Sequence, residues 1–131
     1  MMQGTEHFEV EIDRNNIIHA RIGGDLHHDT MPAFMAWAHT LRTTVRDVYN
    51  RKGGKVRAII DISELTSYDT EILAALAQLM KDNEPYILKS ATFGGNAYIV
   101  LAQDILLALS GRTNLKAFKT EAEASEWVAS A

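Results

Sequence analysis

Between Asp61 and Glu71 the chain reads Asp-Ile-Ser-Glu-Leu-Thr-Ser-Tyr-Asp-Thr-Glu, four aliphatic hydroxyls and four carboxylates in eleven residues. Such a stretch suits three kinds of chemistry. A serine nucleophile needs a base to take its proton. Ser63 and Ser67 have no histidine nearby in sequence and stand in no Gly-x-Ser-x-Gly elbow. His19 or His39 could reach them only through tertiary structure, and no catalytic residue is assigned. A second use is capping. Asp69 can accept N–H bonds at the start of a helix and Glu71 complements its dipole, together worth about 1 kcal/mol. The third is modification. A phosphate on Thr70 or Ser67 would add about two negative charges where a helix N-terminus tolerates them, altering a partner surface without unfolding the chain.

Other residue groups carry weaker chemistry. His27, His28, Asp29 and His39 could suggest a metal, but adjacent histidines diverge and no His-Glu-x-x-His spacing is present. They read as exposed turn residues, and neither metal nor cofactor is expected. Arg42, Arg46, Arg51, Lys52, Lys55 and Arg57 fall within 16 residues that hold a single acid, Asp47. Cations at a helix end complement its dipole, and Arg46, Arg51, Lys52 and Lys55 are also candidates for contact with an anion. Gly94-Gly95-Asn96 lacks the lysine and the length of a phosphate-binding loop and reads as a strand-to-helix turn capped by Asn96.

The elements that must position these groups follow from periodicity. Phe8, Val10 and Ile12 alternate with polar residues, as do Ile18, Ala20 and Ile22, and Asn15-Asn16 between them suits a hairpin turn. After Gly23-Gly24 the period changes. Met31, Phe34, Ala38, Leu41, Val45 and Val48 form one helical stripe, with Asp29 or Thr30 as cap, Pro32 in the first turn and Gly53-Gly54 at the end. Trp37 falls off that stripe and suits a second buried face or a contact between two copies. Val56 to Ile62 is an apolar, β-branched run, the pattern of a strand covered on both faces. A helix follows over about Asp69 to Lys81, then a strand from Lys89 to Phe93 and a helix with Ile99, Ala102, Ile105, Leu106 and Leu109 inward and Gly111 as its stop. Leu115 to Lys119 closes the strands, and Thr120-Glu121-Ala122-Glu123 is a capping box for a last helix anchored by Trp127 and Val128. The order β-β-α-β-α-β-α-β-α implies an α/β fold: a mixed, mainly parallel sheet with an N-terminal antiparallel hairpin and four helices.

At 131 residues the chain suits one domain with a real core. It contains no cysteine and hence no disulfide. The absence of a signal-like start and of any apolar run near the roughly 20 residues of a membrane span points to the cytoplasm. A net charge of -4 argues against nucleic acid as a partner. Met31, Phe34, Met35, Trp37, Met80, Tyr86 and Tyr98 raise an apolar ligand, although such residues at helical spacing are usually core.

The stretch from Asp61 to Leu76 resembles the signature segment of STAS domains, the anti-sigma factor antagonist family. Asp61, Ile62, Ser63, Leu65, Tyr68, Asp69 and Thr70 fill the matching positions of that pattern. Gly24-Asp25-Leu26 followed by Thr30 is similar to the family's turn before a helix, and Lys116 to Val128 to its closing strand and helix. In sporulation-type antagonists the second serine of Asp-Ser-Ser-Gly is phosphorylated; here Glu71 stands at that position and Ile72 replaces the glycine. The long helix before Val56 and the closing Ser125-Glu126-Trp127 resemble the SpoIIAA-like proteins, which share their fold with the CRAL-TRIO lipid carriers. The resemblance implies a SpoIIAA-like (STAS) architecture and a non-enzymatic regulatory domain. Its contact surface would comprise Ser67, Tyr68, Asp69, Thr70 and Glu71 with Asn96 adjacent. The partner would be another protein, such as an anti-sigma-factor-like kinase or regulator, or a second copy of the chain. The alternative is a small carrier of a lipid or other apolar ligand.

Overall fold

The structure is a computed structural model, and it describes residues 7–95, 100 and 114–130. Strands β1 (His7–Ile12) and β2 (Ile17–Leu26) form the expected antiparallel hairpin. Asn16 takes a left-handed φ of 62° in the turn, a conformation asparagine tolerates. Asp13 locks the turn: its Oδ1 accepts the N–H groups of Asn15 (2.7 Å) and Ile17 (3.0 Å), and its Oδ2 meets His19 Nε2 at 2.8 Å. Burial alone would raise the Asp13 carboxyl, but the hydrogen bond from His19, those from the two backbone N–H groups and the His19 charge hold it below its ordinary 3.8.

β2 does not stop at Gly23-Gly24 as the change of period suggests; it continues to Leu26. A 3-10 turn over His28–Thr30 then leads into α1 (Met31–Lys52). The side chain of Thr30 does not cap α1. Its hydroxyl is taken by His27, whose backbone N–H donates to it at 2.9 Å and whose carbonyl accepts from it at 2.8 Å. Gly53, at φ 74°, ends α1 with its N–H on the Tyr49 carbonyl.

β3 (Val56–Asp61) is followed by a strand that the hydroxyl-rich stretch did not announce, β4 (Leu65–Tyr68). α2 (Thr70–Asn83) starts at the expected Asp69 cap, and β5 (Ile87–Phe93), β6 (Leu115–Phe118) and α3 (Glu121–Ala129) complete the described order. The reciprocal Thr120–Glu123 capping box of α3 is present. The helix expected around Ile99 to Leu109, with its stop at Gly111 and its cap at Asn96, lies outside the described residues.

Among the described residues the sheet order is β1-β2-β3-β5-β6, with only the β1–β2 pair antiparallel. β4 pairs in parallel with the far end of β2, so β3 and β4 lie end to end along the same strand. Alternation sorts the two faces. Ile18, Ala20, Ile22, Ala58 and Ile62 join Phe34, Leu41, Val45 and Val48 of α1 and Ile72 and Leu79 of α2 in the main core. Ile59 and Ala91 point the other way, against Ala124 and Val128 of α3. Trp37 belongs to the main core: it packs between Phe8 and Phe34 and donates its indole N–H to the Glu9 carbonyl at 3.0 Å. That bond satisfies a carbonyl of the edge strand β1. Cations hold the end of α3, where helix carbonyls lack partners. Arg57 donates to the carbonyls of Val128 and Ser130, and Lys89 to those of Trp127 and Ser130. Among the described residues no helix is long and apolar enough to cross a membrane.

Two outcomes follow from these contacts. A methyl group on Gly94 (φ 89°) would sit 2.6 Å from the Cα of Ser63, whereas one on Gly53 (φ 74°) would meet nothing within 4 Å. Gly94→Ala is therefore expected to lose about 3 kcal/mol or more in denaturant melts, and Gly53→Ala about 1 kcal/mol. The lowered Asp13 carboxyl contributes stability that is present above its unfolded value of about 3.8 and lost as pH falls through the lower folded value. Acid titration of unfolding should show a shallower loss below that pH in Asp13→Asn. The difference should be less than about 1 kcal/mol, because the side chain is a third exposed.

Candidate functional site

The carboxyl ends of β2 and β4 lie side by side at Leu26 and Tyr68, the position where open α/β sheets place their sites, while β3 ends five residues earlier along β2, opposite Arg21. Two hydroxyls of the acidic stretch, those of Ser63 and Ser67, are already engaged. Asp61, at the end of β3, accepts through Oδ1 both the N–H (2.8 Å) and the hydroxyl (2.6 Å) of Ser63, while its Oδ2 faces Arg21 Nε at 3.3 Å. Ser67 donates its hydroxyl to Asp25 Oδ1, a partner 42 residues away. Three imidazoles are held elsewhere: His19 on Asp13, His27 in the turn before α1, and His28 on Glu71 at 3.1 Å. His39 is exposed on α1. Both serines thus donate to carboxylates, bonds that fix the loop.

Asp69 does what its position predicts. It caps α2 through Oδ1 to the Ile72 N–H at 2.9 Å, and its own N–H reaches back to the Leu26 carbonyl at 3.1 Å. Thr70 and Glu71 are exposed on the first turn of α2, with His28 beside Glu71. Tyr68 is half-buried and leans on the main core. Asn96 lies outside the described residues. Ser67 to Glu71 therefore form one continuous surface with Asp25 and His28.

The basic residues are not brought together in this way. Arg42 bridges α1 to α2 through Asp82 at 3.0 Å, Arg46 lies over the Tyr86 ring at 5.3 Å, and Lys52 donates to the Lys55 carbonyl at 2.9 Å. Arg51 borders a shallow groove with Asp47 and Asn50.

Asp25 and Arg21 are the site residues that sequence reasoning missed. Both sit on β2, and only its pairing with β3 and β4 sets Arg21 opposite Asp61 and Asp25 opposite Ser67. The signal in Leu-Thr-Ser-Tyr is weak: only Thr66 and Tyr68 are residues that favour strands.

Comparison with known proteins agrees with this topology. No protein-family model matches the chain, and no curated protein matches it by sequence. Solved structures do match. An uncharacterized protein of the DUF3478 family with a SpoIIAA-like fold, from Shewanella loihica PV-4, superposes with a TM-score of 0.65 at 14% identity over 98% of both chains. The anti-sigma factor antagonist SpoIIAA in its unphosphorylated form gives 0.62 at 16% identity, covering 93% of this chain and 96% of that one. The chain has a SpoIIAA-like fold. The phosphorylated form of SpoIIAA, a Bacillus cell fate determinant, gives 0.53 at 15% identity over 93% and 99%. At these identities the likeness is one of fold.

If Asp69 is a cap and Glu71 a surface charge, their substitutions must separate. Asp69→Ala should cost about 1 kcal/mol in chemical denaturation, and Glu71→Gln less than about 0.5 kcal/mol.

Proposed function

We propose that the chain is a non-enzymatic, cytoplasmic regulatory module that acts by binding another protein through the surface from Ser67 to Glu71, together with Asp25 and His28. The observation that carries this reading is the fixed, exposed carboxylate of Glu71 at the start of α2. It stands on a fold shared with an anti-sigma factor antagonist solved in both unphosphorylated and phosphorylated forms. Glu71 occupies the position at which the resemblance implies a phosphorylated serine. The charge is then permanent, and the surface is held in one electrostatic state.

The neighbourhood supports a basic partner. Asp25, Asp69 and Glu71 line the surface, with the His28 imidazole beside Glu71 at 3.1 Å. Further phosphorylation here is selective on physical grounds. A phosphate on Ser67 would break the bond to Asp25 and set two like charges together, whereas Thr70 is exposed and free of that bond. Thr70 is the acceptor this geometry favours.

The carrier reading has less support. The apolar space between α1, α2 and the sheet has a volume of about 50 Å³, room for about four waters and not for an acyl chain.

A photo-crosslinking residue placed at Thr70 tests the interaction, with the same residue at Lys55 as control. A discrete covalent adduct in host cells is expected from position 70 alone. Glu71→Lys should abolish it while lowering stability by only about 1 kcal/mol, the cost of a cation in the first turn of α2. Equal labelling from both positions, or labelling that survives Glu71→Lys, would remove this surface from the proposal. Asp69 is unsuitable for that test because it caps the helix.

A further inference from the structure

A buried carbonyl without a partner marks a second site, separate from the acidic surface. Asn83 is the last residue of α2, only 5% exposed, and among the described residues its Oδ1 accepts no hydrogen bond. Asparagine at such a place usually caps the turn that follows, here the 3-10 turn Glu84–Tyr86, yet the Asn83 side chain makes no capping bond. It lines the 50 Å³ cavity instead. The walls are otherwise mostly apolar, including Trp37 and Leu41 from α1, Leu79 from α2 and Ile60 from β3, with the Ser90 side of β5 adding a second polar edge.

Each of these facts restricts an occupant. The single unpaired acceptor calls for a hydrogen-bond donor, because a buried carbonyl left unpaired costs stability and a donor restores it. Twelve of the fifteen lining residues are apolar, which favours a carbon body over a cluster of waters; Asn83, Ser90 and Thr92 are the polar ones. Among the described residues no charged side chain lines the space, so an ion would be desolvated without compensation. The volume admits only a body of about four non-hydrogen atoms. We propose that this cavity binds a small uncharged amphiphile, a short alcohol or a molecule like it, whose hydroxyl donates to Asn83 Oδ1. The bound molecule touches α1, α2 and β5 together and stabilises the packing that holds α2 in place. This inference does not depend on the protein-binding reading.

Isopropanol and acetone test it, since they are nearly the same size and only the first donates a hydrogen bond. In methyl and amide NMR titrations of the full chain, isopropanol should give saturable shifts at the Asn83 side-chain amide and the Leu41 and Leu79 methyls, in the millimolar range. Acetone should bind about tenfold more weakly. Asn83→Leu, which removes the acceptor without opening a hole, should abolish the difference and leave the interaction with any protein partner unchanged. Equal, unsaturable shifts with both solvents would overturn the site. Preference for acetone would overturn the assignment of the carbonyl as its polar group. An ordered water at Asn83 that neither solvent displaces would likewise replace the ligand with solvent.

Discussion

The close approach of the segment after β3 to the glycine pair in β2 is the constraint on which the site depends. Gly24 donates its N–H to the Glu64 carbonyl at 2.9 Å, and a Cβ on Gly23 would lie 2.9 Å from that of Glu64. Without side chains at these positions the backbone can bend, register shifts by one step at Gly24–Asp25, and β4 takes up the free end of β2. Everything beyond follows from that pairing. The Leu26 carbonyl receives the Asp69 N–H, Asp69 caps α2, and the first turn of α2 points its charges outward. On the other side Gly94 lies against Ser63, so the same short connection is gripped by two strands' ends.

This accounts for what could be read in advance and what could not. Elements whose stability is local were legible: the hairpin turn at Asn15-Asn16, the α1 stripe, the Asp69 cap and the Thr120–Glu123 box all depend on residues within four positions of one another. β4 was not, because four residues of mixed polarity become a strand only when a distant edge accepts their hydrogen bonds. The glycine pair marks a change of period in the sequence, and its physical role is close approach within the strand. Trp37 shows the same limit. Its place off the helical stripe signalled a second partner, and the partner is the backbone of the edge strand β1.

The candidate site divides along the same line. Asp69 and Glu71 were legible as a cap and a first-turn acid, since helix chemistry is set by position. The pairing of Ser67 with Asp25 and of Asp61 with Arg21 was not, since each joins residues about 40 positions apart through sheet register. The cations divide by element: Arg51 and Lys52 stand in the last turn of α1, as cations at a helix end should, and Lys52 donates to the Lys55 carbonyl. Arg42 bridges to Asp82, Arg46 stacks on Tyr86, and Arg57 leaves the group to hold the end of α3.

A consequence for evolution of charge at this end of the sheet lies in the competition for the α2 N-terminus. A helix start offers a few free N–H groups and a limited positive potential. In this chain Asp69 takes one of those donors and Glu71 lies in the same field, with Asp25 close by through Ser67. A doubly charged phosphate brought to this place would gain less than at an unoccupied helix start and would face more like charge. A switch that works by adding charge needs a site that lacks it. The permanent carboxylates of this surface therefore leave little for added charge to change there.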